Sequence, residues 1–396
     1  MTISLGISDG AGGIKPATWY NHYGMDYNGT SYCFITDDDL VNPTARELNA
    51  PHGRLSELVN TPITLSEDFF GMHFHRIYNN TTPFPDLPIS FVRSHDGGLR
   101  WQEIQPSNSS SYDWGRFDTW LNHVESNNCT PVFTVFGTPS WASSRPAEAS
   151  AYGINGLAAE PSNMNDLANF VTAVSQRYGS RIQYYEVWNE PNLIGFYTGT
   201  KAKLVDMVKT VSNSVKTVVP TAKIICPAIT SFRETAGSSG EVYLDALLTQ
   251  QDTALTGTML NWIDIVGVHL YYNHVTVQLS PMITRIKNTL SSRGYGAFDI
   301  WDTESGILSP FPDTISNESH LQVMKRKILN IALGGIKKQF WYSYDHTNMG
   351  FMNNKQVYDG YKSFVELLVG KTITSAIQRF DGVINIKFQD GTSLIV

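Results

Sequence analysis

The stretch YYEVWNEPNL, residues 184–193, begins as a buried strand and ends in Asn189-Glu190-Pro191, residues that do not continue one. A continuous apolar run of this kind, bounded by a proline, is the signature of a parallel strand covered on both faces. Similar short runs recur on either side of it: FFGMHF, ISFVRS, PVFTVF, KIICPA, DIVGVHLY, FDIWDT and KQFWYSY. With YYEVW they make eight. Between them lie segments with helical spacing. WGRFDTWLNHVES places Phe117, Trp120, Leu121 and Val124 on one face, and NDLANFVTAVSQRYG stops at a glycine, a common helix end. KLVDMVKTVSNSVKTVVP and ESHLQVMKRKILNIALGG behave alike.

Eight strand-then-helix units predict a closed (β/α)8 TIM barrel, an α/β fold. The rival, an open doubly wound sheet, lacks its glycine-rich phosphate turn after the first strand. Residues 1–65, rich in Gly, Asn, Asp, Thr and Tyr, predict an irregular N-terminal extension of loops and short strands; residues 66–365 hold the barrel. Residues 366–396 alternate apolar and polar side chains around Asp381-Gly382 and Asp390-Gly391, which predicts a small antiparallel β segment packed on the barrel.

Composition narrows the chemistry. Of 396 residues, 16% are charged, below the roughly 25% of ordinary domains, and 12% are aromatic. Side chains with flat apolar faces and polar edges suit neutral, ring-shaped ligands. A balance of 29 basic against 36 acidic residues, with no basic run, argues against nucleic-acid binding. Cys33, Cys129 and Cys226 stand far apart in no metal-ligand spacing and read as packed thiols. No apolar run is long enough for membrane insertion, and MTISLGISDG is unlike a signal peptide.

In such a barrel the reacting groups sit at the C-terminal strand ends. Strand four delivers Asn189 and Glu190, and strand seven delivers Glu304. Two carboxylates about 5 Å apart across the mouth are what a retaining glycosidase requires. The plainer reading of Glu190, an acidic residue opening a helix before Pro191, accounts for it alone but not for its pairing with Glu304.

The WNEPN motif after strand four and W-x-T-E-x-G after strand seven resemble the clan A retaining glycoside hydrolases. The longer EVWNEPNLIGFYTGT, together with KTVVPTAKIICPA and VHLYY, most resembles glycoside hydrolase family 39. The likeness spans about residues 69–350. It implies that Glu190 is the acid/base and Glu304 the nucleophile. By the same resemblance Asn189 bonds the sugar 2-hydroxyl, Arg93 keeps the nucleophile ionised and Tyr271 orients it. His269 shares the Tyr271 strand face, Trp341 forms the floor under the reacting sugar, and His95 and Trp141 are subsite residues.

One departure is the order Trp-Asp-Thr-Glu, which inserts Asp302 and leaves open whether Asp302 or Glu304 is the working acid. Long loops after strands two and three, with Trp101, Tyr112 and Trp114 to stack on further sugars, favour endo-action on a polysaccharide. The expected partner is a poly- or oligosaccharide, with no metal and no cofactor. A polysaccharide substrate suggests a secreted or virion-borne protein, although the chain shows no export signal. The competing reading is a carbohydrate-binding barrel without turnover; transglycosylation differs only in the acceptor.

Overall fold

The computed structural model describes residues 61–79, 82–108, 111–233, 236–271, 279–307, 317–347, 349–378 and 383–396, with the backbone of five short strands among residues 6–57. Eight parallel strands close a barrel: β1 (Phe70–His73), β2 (Phe91–Arg93), β3 (Thr130–Val135), β4 (Tyr184–Val187), β5 (Lys223–Ile225), β6 (Ile265–Val268), β7 (Asp299–Gly306) and β8 (Lys338–Tyr342). β8 pairs with β1 through Gln339–Phe70, Phe340–Gly71 and Trp341–Met72, which completes the ring.

Seven helices follow seven of the strands: α1 (Gly115–Ser126), α2 (Met164–Tyr178), α3 (Lys201–Val218), α4 (Ser239–Leu248), α5 (Leu279–Ser292), α6 (Asn317–Leu333) and α7 (Lys355–Leu368). The apolar face read for α1 is the face it buries: Phe117, Trp120, Leu121 and Val124 are all inside. After β1 the expected helix is replaced, among the described residues, by a single 3-10 turn, Ile77–Asn79. Pro83, Pro85 and Pro88 explain this, since each removes a backbone donor and blocks the preceding turn.

Alternation along the strands sorts side chains into layers. Phe91, Val132, Ile225, Ile265, Trp301 and Phe340 form one apolar cluster, with Tyr184 packed against it. Two residues further along the same strands stand Arg93, Thr134, Glu186, Thr303 and Tyr342, so the next interior layer is polar. The barrel thus keeps a dry base and sets its charges toward the C-terminal mouth.

β7 departs from strict alternation. Asp302 pairs with Gln339 and Ser305 with Trp341, so two residues of β7, Thr303 and Glu304, face the single residue Phe340 of β8. This is a β-bulge, and it sits at Thr303-Glu304, inside the W-x-T-E-x-G run of the sequence.

The tail forms β9 (Thr372–Gln378), β10 (Ile384–Phe388) and β11 (Ser393–Ile395), all antiparallel. The Asp390-Gly391 turn links β10 to β11, with Gly391 at φ +85°; Asp381-Gly382 lies outside the described residues. Strands Ser56–Glu57 and Ile63–Thr64 also pair with β9, so residues ahead of the barrel and residues behind it share one sheet. Cys129 and Cys226 are buried free thiols, each pushed up to about 12 by burial; Cys33 lies outside the described residues.

Candidate active site

Arg93, at the end of β2, is fully buried and spends its guanidinium on three partners. Its Nε donates to Glu186 (2.6 Å), Nη1 to Glu304 (2.7 Å) and Nη2 to Asn189 Oδ1 (2.8 Å). One planar fork therefore ties β2 to β4, β7 and the turn that follows β4. Glu186, which also accepts from Thr134 Oγ1 at 3.0 Å, is a component that the sequence reading passed over. Its signal was present: a carboxylate inside an apolar strand run demands a buried cation or donor, and Arg93 occupies an equivalent place in β2.

β4 ends because its backbone turns. Trp188 and Glu190 take φ of +67° and +45°, left-handed values on either side of Asn189. Trp188 N still donates to Val135 O and Glu190 N to Ala228 O, so the turn is held from both neighbouring strands. The result swings Asn189 and Glu190 over the mouth instead of into the wall. Glu190 Oε1 lies 2.8 Å from His269 Nδ1, and His269 Nε2 lies 3.2 Å from Thr303 Oγ1. Burial holds His269 down at about 4, so the ring is neutral and carries one proton. Toward an ionised Glu190 that proton sits on Nδ1, and the Thr303 hydroxyl donates to Nε2.

Burial pushes Glu190 up to about 7, against the lowering effects of a Thr230 hydrogen bond and the Arg93 charge. Glu304 accepts from Arg93 Nη1 and from the Tyr271 hydroxyl (2.7 Å). Its carboxyl is nonetheless raised, with burial the largest cause and Arg93 among the opposing ones. Arg93, expected to keep the nucleophile ionised, does act to lower Glu304, but desolvation outweighs it. Tyr271 is itself raised well above 10, chiefly by burial, and stays a donor.

Carboxylate oxygens of Glu190 and Glu304 and a ring nitrogen of His269 all lie within 4.8 Å of one another. These three side chains have the spacing of a metal site. Their ligand atoms are already engaged by protein groups, however, and a guanidinium at 2.7 Å from Glu304 supplies the positive charge that a metal would bring. Asp302 is placed elsewhere. Its carboxylate accepts from Leu270 N (3.0 Å) and from Ser305 Oγ, which holds it in the wall between β6 and β7.

A cleft of ≈ 310 Å³ opens over the pair. Among the expected residues, Asn189, Glu190, Glu304, Tyr271 and His95 line it, while Arg93 and His269 stand behind them at 0% exposure. Burial pulls His95 down to about 3, so a neutral ring borders the cleft 3.6 Å from Asp96. Trp341 and Trp141 are not part of the lining. Trp341 faces outward and stacks on Phe351 at 5.9 Å; the inward residue of β8 is Tyr342, whose hydroxyl donates to Asp96 at 3.0 Å. Trp141 donates to Gln105 O and packs edge-on against Trp101.

The loop aromatics also serve packing. Trp101 is buried against Phe170, and Tyr112 stacks on Trp114, which meets Tyr178 edge-on. Tyr152 takes a lining place that the sequence did not announce; its hydroxyl accepts from Asn189 Nδ2 at 3.3 Å.

No protein-family model and no curated protein matches the chain. Solved structures do. A family 39 glycoside hydrolase from the gut symbiont Bacteroides cellulosilyticus WH2 is 17% identical over 84% of this chain and 71% of that one, with a TM-score of 0.61. A family 39 β-xylosidase from Caulobacter crescentus is 16% identical over 85% and 77%, TM-score 0.59. The family 39 enzyme from Xanthomonas axonopodis pv. citri is 15% identical over 89% and 78%, TM-score 0.60. At these identities the likeness is one of fold, and the fold this chain shares with them is the (β/α)8 barrel of the family 39 glycoside hydrolases.

Proposed function

We propose that this protein is a retaining glycoside hydrolase, with Glu304 as nucleophile and Glu190 as acid/base. The observation that carries this reading is the approach of the two carboxylates to within 4.8 Å at the barrel mouth. That spacing suits direct attack on the anomeric carbon; an inverting enzyme leaves roughly 6.5–9.5 Å for a water. Glu304, fixed by Arg93 and Tyr271, attacks the anomeric carbon and forms an ester to it. Among the described residues no Lys or Arg contacts Glu190, and burial raises its carboxyl to about 7, so it can hold a proton for the leaving oxygen. In the second half the ionised Glu190 takes a proton from water, which displaces Glu304 and releases the sugar with its configuration retained.

Asn189 supports the same chemistry. Its Oδ1 is held by Arg93, and Nδ2 spends one hydrogen on Tyr152, which leaves the other for a sugar hydroxyl. We assign β-type linkages as the substrate class. Proteins of similar fold include a β-xylosidase and a glucosidase, so β-xylosides and β-glucosides are the first to try. Endo-action loses the support of Trp101, Tyr112 and Trp114; the described cleft, with Tyr152 and Phe232 on its walls, suits a short saccharide end.

The test is release of reducing ends from polysaccharides, and of nitrophenol from aryl β-glycosides, by wild type, Glu190→Gln and Glu304→Gln. Wild type should cleave at least one substrate, and both variants should lose orders of magnitude on it. Azide added to Glu304→Ala should yield a glycosyl azide of inverted configuration. Undiminished turnover by Glu304→Gln, or binding of a glycan that is never cut, would sink the proposal.

A further inference from the structure

The strand that carries Glu304 has one residue more than its neighbour, and a set of buried polar groups that the proposed reaction does not use is gathered around the extra residue. In a regular β7, alternation from the inward Trp301 would turn Thr303 inward and both Asp302 and Glu304 outward toward the helices. The bulge at Thr303-Glu304 changes that. Thr303 reaches His269 and Glu304 reaches the cleft, so both face inward.

Four contacts hold the bulge from either side. Asp302 Oδ1 accepts from Leu270 N across β6, and its Oδ2 accepts from Ser305 Oγ, spanning the bulge. Ser305 Oγ in turn accepts from Gln339 Nε2 of β8 at 3.1 Å. Lys327 of α6, at 3% exposure, donates from Nζ to Gly306 O at 2.5 Å, and its charge faces Asp302. A buried aspartate and a buried lysine are costly to keep where apolar residues would pack as well. Burial pushes the Asp302 carboxyl up and the Lys327 ammonium down from their ordinary values.

We propose that Asp302, Ser305 and Lys327 are positioning residues that lock the β7 bulge and thereby aim Glu304 at the anomeric carbon, an inference that rests on Glu304 being the nucleophile. Asp302 touches no substrate.

The experiment reads the nucleophilic step directly in the rate of trapping. The probes are 2,4-dinitrophenyl β-xyloside or β-glucoside, whose leaving group needs no proton from Glu190. They are paired with the corresponding 2-deoxy-2-fluoro glycosides, which trap the nucleophile and allow the adduct to be located by mass. Asp302→Ala and Ser305→Ala should lower kcat and the trapping rate by about 10- to 100-fold with KM within threefold, as expected for a nucleophile displaced by about 1 Å. Asp302→Asn can still accept from Leu270 N and meet Ser305 Oγ, so it should recover to within about fivefold of wild type. Asp302→Ala at wild-type kcat, or a folded Asp302→Asn as impaired as Asp302→Ala, overturns the lock. Should Asp302→Ala not fold, Ser305→Ala against Asp302→Asn decides by the same criteria. Glu304→Gln separates the two ideas: if it keeps full activity the nucleophile assignment has failed, whereas an inactive Glu304→Gln beside an unaffected Ser305→Ala refutes the lock alone.

Discussion

Replacing Glu190 by glutamine should stabilise the protein at alkaline pH and leave it unchanged at acid pH. The carboxyl moves from an ordinary 4.5 to about 7 on folding, with burial as the main cause. Between those two values the folded state binds more protons than the unfolded one, so stability falls as pH rises through the window. Above about pH 7 the full penalty is in place; below about pH 4.5 it vanishes. At about 1.4 kcal/mol per pH unit of displacement, the penalty is roughly 3 kcal/mol. The side chain is 9% exposed, so solvent screening takes little from that figure. Glutamine keeps the shape, and its Oε1 can accept from His269 Nδ1, so the substitution removes the charge and little else. For 396 residues the unfolding entropy is on the order of 0.8 kcal/mol/K, and the melting temperature should rise by about 4 °C at pH 8. Melting followed by tryptophan fluorescence at pH 4 and pH 8, wild type beside variant, reads this directly. A variant equally stabilised at both pH values, or at neither, would refute the reasoning: the first outcome would mean that shape rather than charge is at fault, the second that Glu190 is not desolvated. The same substitution should remove the alkaline limb of the pH–rate profile that deprotonation of Glu190 imposes.

Arg93→Met strands two buried carboxylates, Glu186 and Glu304, and should cost about 3–5 kcal/mol, a fall of roughly 4–6 °C in melting temperature that Glu186→Gln partly reverses. Trp341→Ala should lose about 3–5 kcal/mol, because it leaves a cavity against Phe351 and Tyr361, yet keep kcat/KM within threefold at temperatures where it is folded. Tyr342→Phe should do the opposite, lowering kcat/KM about tenfold through the lost bond to Asp96 with a melting temperature within about 2 °C of wild type. Gly306→Ala should yield little folded protein, since a Cβ there would meet Tyr342 O at 2.1 Å, inside any real contact; soluble yield and circular dichroism check it.

The barrel was legible because strands buried on both faces advertise themselves as unbroken apolar runs, and because helices between them carry a 3.6-residue period. Glu190 and Glu304 were legible for a related reason: each is a charge placed where such a run gives out. What sequence could not give was parity. In QFWYSY three aromatic neighbours all fit a buried strand, and only the packing of Phe340 against Phe91 and Trp301 turns Trp341 outward and Tyr342 inward. The bulge hid the parity of β7 in the same way, leaving Asp302 and Glu304 open until the pairing with β8 was known. Asp96 and Tyr152 come from connections between strands and helices, whose course no periodicity records. The missing helix after β1 could have been read from Pro83, Pro85 and Pro88, and Glu186 from its lone charge among apolar neighbours.

The pairing of β1 with β8 has a consequence for how the chain is made. Every other joint of the barrel links strands that follow one another in sequence, but this one links Phe70–Met72 with Gln339–Trp341, two stretches made far apart in time. Until the later one leaves the ribosome, the nascent chain carries a curved open sheet with two bare edges, each offering unpaired amides and carbonyls to any neighbour. The strands of the tail complete the seam from outside, since β9 binds Ile63–Thr64, just ahead of β1, and so staples the early edge to the late end. A chain cut short after α6 should therefore behave as an aggregation-prone intermediate, and one cut after α7 as a closed ring that breathes at a single joint.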